Sequence, residues 1–285
     1  MKVFVIGVGL IGGSMALDLK RMDAGIQIHG IDKNEDHLDT ALELGVIDRK
    51  DSLDNIAQAD RIILSIPVKA SVLLLPQLLD SLKEDALLWD VGSTKEKLCL
   101  SIASHPKRNQ YLAAHPIAGK EFSGPKAAHE GLFEGKPQIL CESKKTRPDL
   151  LNWAKTTFRA MGMYLRFMEA AEHDKHMAYV SHLSHISSFM LGKTVLERED
   201  DEQNIFDLAG SGFESTVRLA KSSPEMWTPI FEQNKENIID ILEAYIHNLQ
   251  NFKNKLEEEN FADLYQQMKN TNQLTNILNG IKPLN

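Results

Sequence analysis

The feature that most constrains this chain sits at its start. A run of β-branched and aromatic residues, Lys2 to Gly7 (KVFVIG), passes directly into Gly7-Val8-Gly9-Leu10-Ile11-Gly12, and apolar residues at helical spacing follow from Ile11 to Met22. This is G-x-G-x-x-G between a strand and a helix, the context in which that pattern acquires meaning. Gly7 permits the tight turn, Gly9 lets the backbone approach a pyrophosphate, and Gly12 lets strand and helix pack closely. Leu10 and Ile11 open the helix, whose first amides and dipole favour a phosphate. The next strand-like run, Ile26 to Asp32, completes a βαβ unit and closes on Asp32, twenty residues beyond Gly12. A carboxylate at that point accepts hydrogen bonds from ribose hydroxyls and repels a 2′-phosphate. The expected cofactor is therefore NAD, with Lys33 beside Asp32 leaving NADP use open.

Short apolar runs recur at 61–66 (RIILSI), 86–91 (ALLWDV), 111–114, 138–141 and 163–167, separated by stretches such as 73–82 that suit helices. Alternation of this kind predicts an α/β fold, a Rossmann-type, doubly wound and mostly parallel sheet, over residues 1–168. Ser65, Ile66 and Pro67 follow one of these strands at the carboxyl edge, where ligands settle in such folds. Ser65 and Pro67 are expected to border the adenosine half, although turn chemistry alone also accounts for Pro67.

Beyond Glu169 the strand signals fade and long helical patterns take over at 171–197, 224–255 and 257–278. Residues 169–285 therefore read as an all-α domain for substrate binding and dimerisation, and 285 residues agree with two domains at roughly 150 each. Read as one helix, 224–255 spans nearly ~50 Å, more than one small domain covers. Its stripe of Ile238, Ile241, Leu242, Tyr245 and Leu249 predicts a homodimer through the C-terminal helices, with an intramolecular bundle as the alternative. Leu256 to Asn260 (LEEEN) reads as a charged break between the last two helices.

Composition removes several classes of function. Lys and Arg total 32 against 40 Asp and Glu, a net charge of −8, so no broad basic surface is expected and nucleic acid is not the expected partner. The apolar runs fall well short of the ~18 residues a membrane span requires, and Met1-Lys2 leads straight into a strand-like segment without the pattern of a signal peptide. The two cysteines, Cys99 and Cys141, are far apart and form no CxxC pair. Neither a disulfide framework nor a cysteine zinc site is expected, and a cytoplasmic, reducing location follows.

Asp90-Val91-Gly92-Ser93-Thr94-Lys95 and Ala114-His115-Pro116-Ile117-Ala118-Gly119 each follow a strand, which predicts that both reach the same carboxyl edge near a nicotinamide. Together with GVGLIGGS at 7–14, HPIAGKE at 115–121, VSHLSH at 180–185 and GSGFESTVRLAKSSPEMW at 210–227, these segments make the chain resemble the prephenate and arogenate dehydrogenase family over essentially its whole length. The resemblance implies oxidative decarboxylation of prephenate to 4-hydroxyphenylpyruvate on the route to tyrosine. It implies His115 as the base that takes the proton of the ring hydroxyl while hydride leaves the same carbon, and Ser93 as a hydrogen-bonding partner of that hydroxyl. A neutral imidazole suits the task because it titrates near the working pH. By the same resemblance Arg218 clamps a substrate carboxylate, which its planar fork suits. His185 and, one turn away, His182 help hold the substrate, and Glu121 helps gate the pocket through ionic contacts. Loss of the ring carboxylate as carbon dioxide gives an aromatic ring, so no metal is required.

Relatives often carry Lys or Arg four residues before the substrate arginine, whereas this chain has Glu214, which is open to pairing with Arg218, pairing with a partner chain, or simple solvation. That substitution leaves arogenate, an amino acid where prephenate is a keto acid, as the alternative substrate. His173, Asp174, His176, His182 and His185 invite a metal-site reading. On a regular helix, however, His173 and His176 point away from His182 and His185, so no metal is expected. A β-hydroxyacid dehydrogenase and a non-catalytic NAD-binding sensor are the remaining alternatives. The first relies on a lysine in its helical domain and fits the HPIAG and VRLAKS segments poorly. The second has no need of His115 and Arg218 together. With the final helices assigned to the dimer, an appended chorismate mutase or regulatory domain is not expected.

Overall fold

A computed structural model describes residues 1–119, 123–202 and 204–280. Eight strands form one sheet: β1 (Lys2–Ile6), β2 (Gln27–Ile31), β3 (Arg49–Lys50), β4 (Arg61–Leu64), β5 (Leu87–Asp90), β6 (Tyr111–Pro116), β7 (Pro137–Cys141) and β8 (Tyr164–Met168). Their order is β3-β2-β1-β4-β5-β6-β7-β8. The first six run parallel, β7 is antiparallel to β6, and β8 is parallel to β7. The two-residue β3 is the one strand that hydrophobic patterning does not mark.

Both faces of the sheet are covered, which is why its strands are continuous apolar runs rather than alternating ones. Successive side chains point to opposite faces. Val3, Val5, Ile63, Trp89 and Leu112 pack with α1 (Leu10–Met22), α2 (Glu35–Glu43) and α5 (Pro148–Ala160). Phe4, Ile62, Leu64, Leu88 and Tyr111 pack with α3 (Val68–Ser81) and α4 (Glu96–Ser101) on the other. The parallel strands β1, β4, β5 and β6 therefore end along one edge, and the segments at Gly7, Ser65, Gly92 and His115 meet there.

The helical part begins directly after β8. The segment expected at 171–197 comprises α6 (Ala170–Met177), a π-helical turn (Ala178–His182) and α7 (Leu183–Glu202). The wider turn rotates everything after it, so His173 and His182, placed on opposite sides by a regular helix, both turn inward and are buried. His176 stays exposed. Among the described residues no three His, Cys, Asp or Glu side chains gather as a metal ion would need, and no helix is long and apolar enough to cross a membrane.

The single helix expected at 224–255 is two: α9 (Pro224–Gln233) and α10 (Lys235–Glu257). Asn234 breaks it, with φ −111° and ψ 27°, because its side chain is turned inward to bind α6. At 23 residues α10 extends about 35 Å rather than 50. The pattern at 257–278 likewise resolves into α11 (Phe261–Thr271) and α12 (Leu274–Gly280), while α8 (Ser211–Val217) and a 3₁₀ turn (Arg218–Lys221) precede α9. The two parts are joined by packing of Val68 against Trp227 and Ile230, and by a Lys69–Glu232 ion pair at 2.9 Å.

Candidate active site

The glycine turn has the shape a dinucleotide needs. Gly7 has φ +93°, and a Cβ there would lie 2.1 Å from the carbonyl oxygen of Ser65, so the end of β4 closes on the turn and only glycine fits. Gly9 differs: a Cβ there would meet nothing within 4 Å. Its smallness leaves open space at the N-terminus of α1, which is where a pyrophosphate would sit. Asp32 is half-buried, accepting from the Val8 amide at 3.1 Å and the Asn34 amide at 3.0 Å. Those bonds hold the carboxylate beside the turn with lone pairs to spare for ribose hydroxyls. The chain's residues thus fit NAD. Ser65 is half-buried at the end of β4, and Pro67 caps α3 from an exposed position.

Two α1 side chains that sequence reasoning passed over, Ser14 and Asp18, accept from the amides of His129 and Gly131, each at 3.1 Å. They fasten the segment following the HPIAG motif across the cofactor helix. Burial raises the Asp18 carboxyl, and the Gly131 amide and Arg21 oppose that.

At the end of β6, His115 is 7% exposed. Its Nδ1 lies 2.8 Å from Nε2 of His173 on α6, with the two rings edge to face at 5.1 Å. His173 Nδ1 in turn lies 2.7 Å from Oδ1 of Asp174. The Asp174 carboxylate also accepts from the backbone amides of Lys95 at 2.7 Å and Glu96 at 2.9 Å, and so caps α4 from across the domain boundary. Beneath it Lys95, fully buried, pairs with Asp90, whose other oxygen accepts from the Tyr111 hydroxyl at 2.6 Å. A buried ion pair is held only where such extra donors satisfy it. Burial, seconded by the neighbouring His173, holds His115 well below the ordinary histidine range. Burial lowers His173 as well, against the raising influence of Asp174.

Ser93 lies half-buried in the turn between β5 and α4, and β5 and β6 are paired neighbours, so the Ser93 turn and His115 share the sheet edge. His185 is half-buried, stacked on Trp227 at 3.5 Å, with Nδ1 held by the Ser181 carbonyl at 2.9 Å. Burial lowers it, and nearby Arg218 lowers it further. Arg218 is exposed and lines a cleft of about 320 Å³ with Ser211, Glu214, Ser215 and Lys221. Glu214 stands 4.0 Å from Lys221, which is its ion-pair partner in place of Arg218. His182 is fully enclosed behind this surface, edge-on to Trp227 and Phe231, with Nδ1 3.1 Å from the Asn234 amide. Burial lowers it to about 4. With no exposed surface, His182 lies behind Trp227 and Phe231. Glu121 lies outside the described residues.

The structure thus gathers His115, the Ser93 turn and the glycine turn on one sheet edge, and groups His185 with Arg218 on the helical side. Sequence reasoning missed Asp174, His173, Asn234 and Trp227 as members of the site. The available signal was an imidazole adjacent to a carboxylate, His173-Asp174, just past the domain junction.

Fold and site together define a two-domain oxidoreductase of the dinucleotide-binding class. The family profile for "Prephenate dehydrogenase, nucleotide-binding domain" matches residues 15–166, and that for "Prephenate dehydrogenase, dimerization domain" matches 169–270. Prephenate dehydrogenase of Bacillus subtilis is 33% identical over 276 residues, covering 94% of this chain and 73% of that protein. The crystal structure of the Aquifex aeolicus prephenate dehydrogenase in complex with hydroxyphenyl propionate and NAD+ is 32% identical, with a TM-score of 0.88 over 98% of each chain. Synechocystis arogenate dehydrogenase superposes with a TM-score of 0.79 at 26% identity, over 98% of this chain and 100% of that one. The chain belongs to the prephenate dehydrogenase family.

Proposed function

We propose that this protein is an NAD-dependent prephenate dehydrogenase, converting prephenate to 4-hydroxyphenylpyruvate and carbon dioxide. The observation that carries the reading is His115. Its Nδ1 is engaged by His173, so Nε2, which has no protein partner among the described residues, is the nitrogen left for a substrate at the edge where the glycine turn opens. Gly7, Gly9, Gly12, the first amides of α1 and Asp32 hold NAD, with Ser65 and Pro67 bordering the adenosine. When bound, NAD supplies the hydride acceptor. His115 Nε2 takes the proton of the ring hydroxyl, Ser93 hydrogen-bonds the same oxygen, and Arg218 pairs with a substrate carboxylate beside His185. The ring carboxylate departs as carbon dioxide, its bonding electrons completing the aromatic ring while the carbonyl becomes the phenolic oxygen, which takes the proton back from His115. Residues 1–168 serve as the nucleotide unit and 169–285 as the substrate-binding and dimerising unit.

A second reading, arogenate as substrate, is favoured by one observation: Glu214 lines the Arg218 cleft and is exposed, so its carboxylate suits an ammonium better than a keto group. The deciding experiment follows NADH absorbance and product with prephenate and with arogenate, each with NAD and NADP. NAD-dependent release of 4-hydroxyphenylpyruvate supports the proposal, and dinucleotide binding without turnover of either substrate refutes it.

The helical unit leaves Ile246, Leu249, Leu256, Tyr265, Ile277 and Leu278 between 47% and 65% exposed. Exposed apolar side chains on these helices, together with a family dimerisation domain, support a homodimer through them.

A further inference from the structure

His115 cannot choose its own tautomer. A neutral imidazole carries one proton on either nitrogen, and only the form bare at Nε2 can act as a base towards the substrate side. The choice is made by a chain of contacts that starts in the other domain. A carboxylate only accepts, so Asp174 compels His173 to place its proton on Nδ1, across a 2.7 Å contact. A neutral His173 then presents a lone pair at Nε2, and His115 Nδ1, 2.8 Å away, must donate to it. Asp174 is itself immobilised by the Lys95 and Glu96 amides, and Asn234 grips its backbone carbonyl at 2.7 Å. Every link is buried: His173 and Asp174 are each 1% exposed and Asn234 is 2% exposed.

We infer that His173 and Asp174 are the positioning pair of the reaction, fixing the His115 ring with Nε2 bare and stabilising the imidazolium formed when it takes the substrate's hydroxyl proton. The inference rests on His115 being the base. The proton leaves the substrate oxygen for His115 Nε2, the O–H electron pair becomes the new carbonyl bond as hydride leaves the same carbon for bound NAD, and the positive ring donates its Nδ1–H more strongly to His173. No second transfer is needed; the Asp174 charge is felt through the polarised His173 ring. The logic is that of an acid orienting a histidine through a hydrogen bond, with one more imidazole in the line. Because the donors that hold Asp174 belong to α4, seating of the helical domain on the nucleotide domain is also what aims the base.

The test compares His173→Leu with His173→Gln in the full-length protein, each alone and with His115→Asn. Leucine removes the acceptor, so the buried Nδ1–H is orphaned and the proton moves to Nε2, where it blocks the base. Glutamine restores an acceptor oxygen. For His173→Leu, kcat should fall by about 100-fold or more, the scale of general base catalysis, with NAD affinity and the prephenate KM within about threefold. His173→Gln should recover about tenfold over leucine, and neither change should lower turnover further once His115 is asparagine. A leucine variant within about threefold of wild-type kcat, equal activity in the two variants, or losses that persist undiminished in the His115→Asn background would overturn the inference. If the leucine variant does not fold, His173→Asn, too short to reach His115, replaces it in the same comparison. Near-normal turnover by His115→Asn alone would instead remove the base assignment itself, so the two failures are distinguishable.

Discussion

Gly7 and Gly9 belong to one motif but answer to different forces, and substituting each by alanine separates them. At Gly7 the backbone sits at φ +93°, and the added Cβ would come 2.1 Å from the Ser65 carbonyl oxygen, a backbone atom that moves only if β4 moves. Strain at positive φ contributes about 1–3 kcal/mol and overpacking about 1–3 kcal/mol, so Gly7→Ala should destabilise the protein by about 2–6 kcal/mol. At roughly 2–4 °C per kcal/mol for a domain of this size, the midpoint should drop by about 4–24 °C. At Gly9, φ is −76° and nothing lies within 4 Å of the new methyl, so Gly9→Ala should leave stability within about 0.5 kcal/mol of wild type. The same methyl would occupy the space meant for a pyrophosphate and should weaken NAD by at least about tenfold, or 1.4 kcal/mol. Thermal unfolding without ligand and calorimetric NAD titration read the two effects independently. A Gly9→Ala protein that binds NAD like wild type would refute the placement of the pyrophosphate. A Gly7→Ala protein of unchanged midpoint would refute the steric reasoning.

His115→Asn should retain NAD affinity while kcat falls by about 100-fold to 10,000-fold, the range of a lost general base; titration and steady-state kinetics check both. Arg218→Ala should raise the prephenate KM about tenfold or more and leave the NAD KM unchanged, and an unaltered prephenate KM would reassign the arginine. Because burial and His173 keep His115 below the ordinary histidine range, its base form persists as pH falls; kcat/KM should lose activity only below pH ~6.5, and an acid limb above neutrality would contradict it. The same depressed histidines bear on stability. His115, His173 and His182 bind protons more weakly folded than unfolded, so their contribution is present above the unfolded value of ~6.5 and is lost as pH falls towards their folded values. For His182 that folded value is about 4, and midpoints measured from pH 7 to 4 should decline through this window.

What the amino-acid order determined alone is whatever depends on neighbours in the chain. The strand, turn and helix at residues 2–22 announce a dinucleotide cradle because glycine spacing and side-chain periodicity act over a few residues. The alternating runs predict the sheet, and each strand-ending motif, at Gly7, Ser65, Ser93 and His115, reaches the common edge by the rules of parallel topology. Tertiary structure alone decided the rest. Asn234 looks like any polar residue on a helix until its amide is needed 60 positions away at Asp174. A π turn at 178–182 re-aims His182 without disturbing the pattern of apolar residues, and Glu214 finds Lys221 rather than Arg218. The tautomer of His115 is set by His173, 58 residues on, and by Asp174 docking on α4, 79 residues from Lys95. Periodicity reports which face of an element is apolar. It is silent about which buried polar groups find each other across a domain boundary, since that depends on directional hydrogen bonds formed only after both domains are folded and seated.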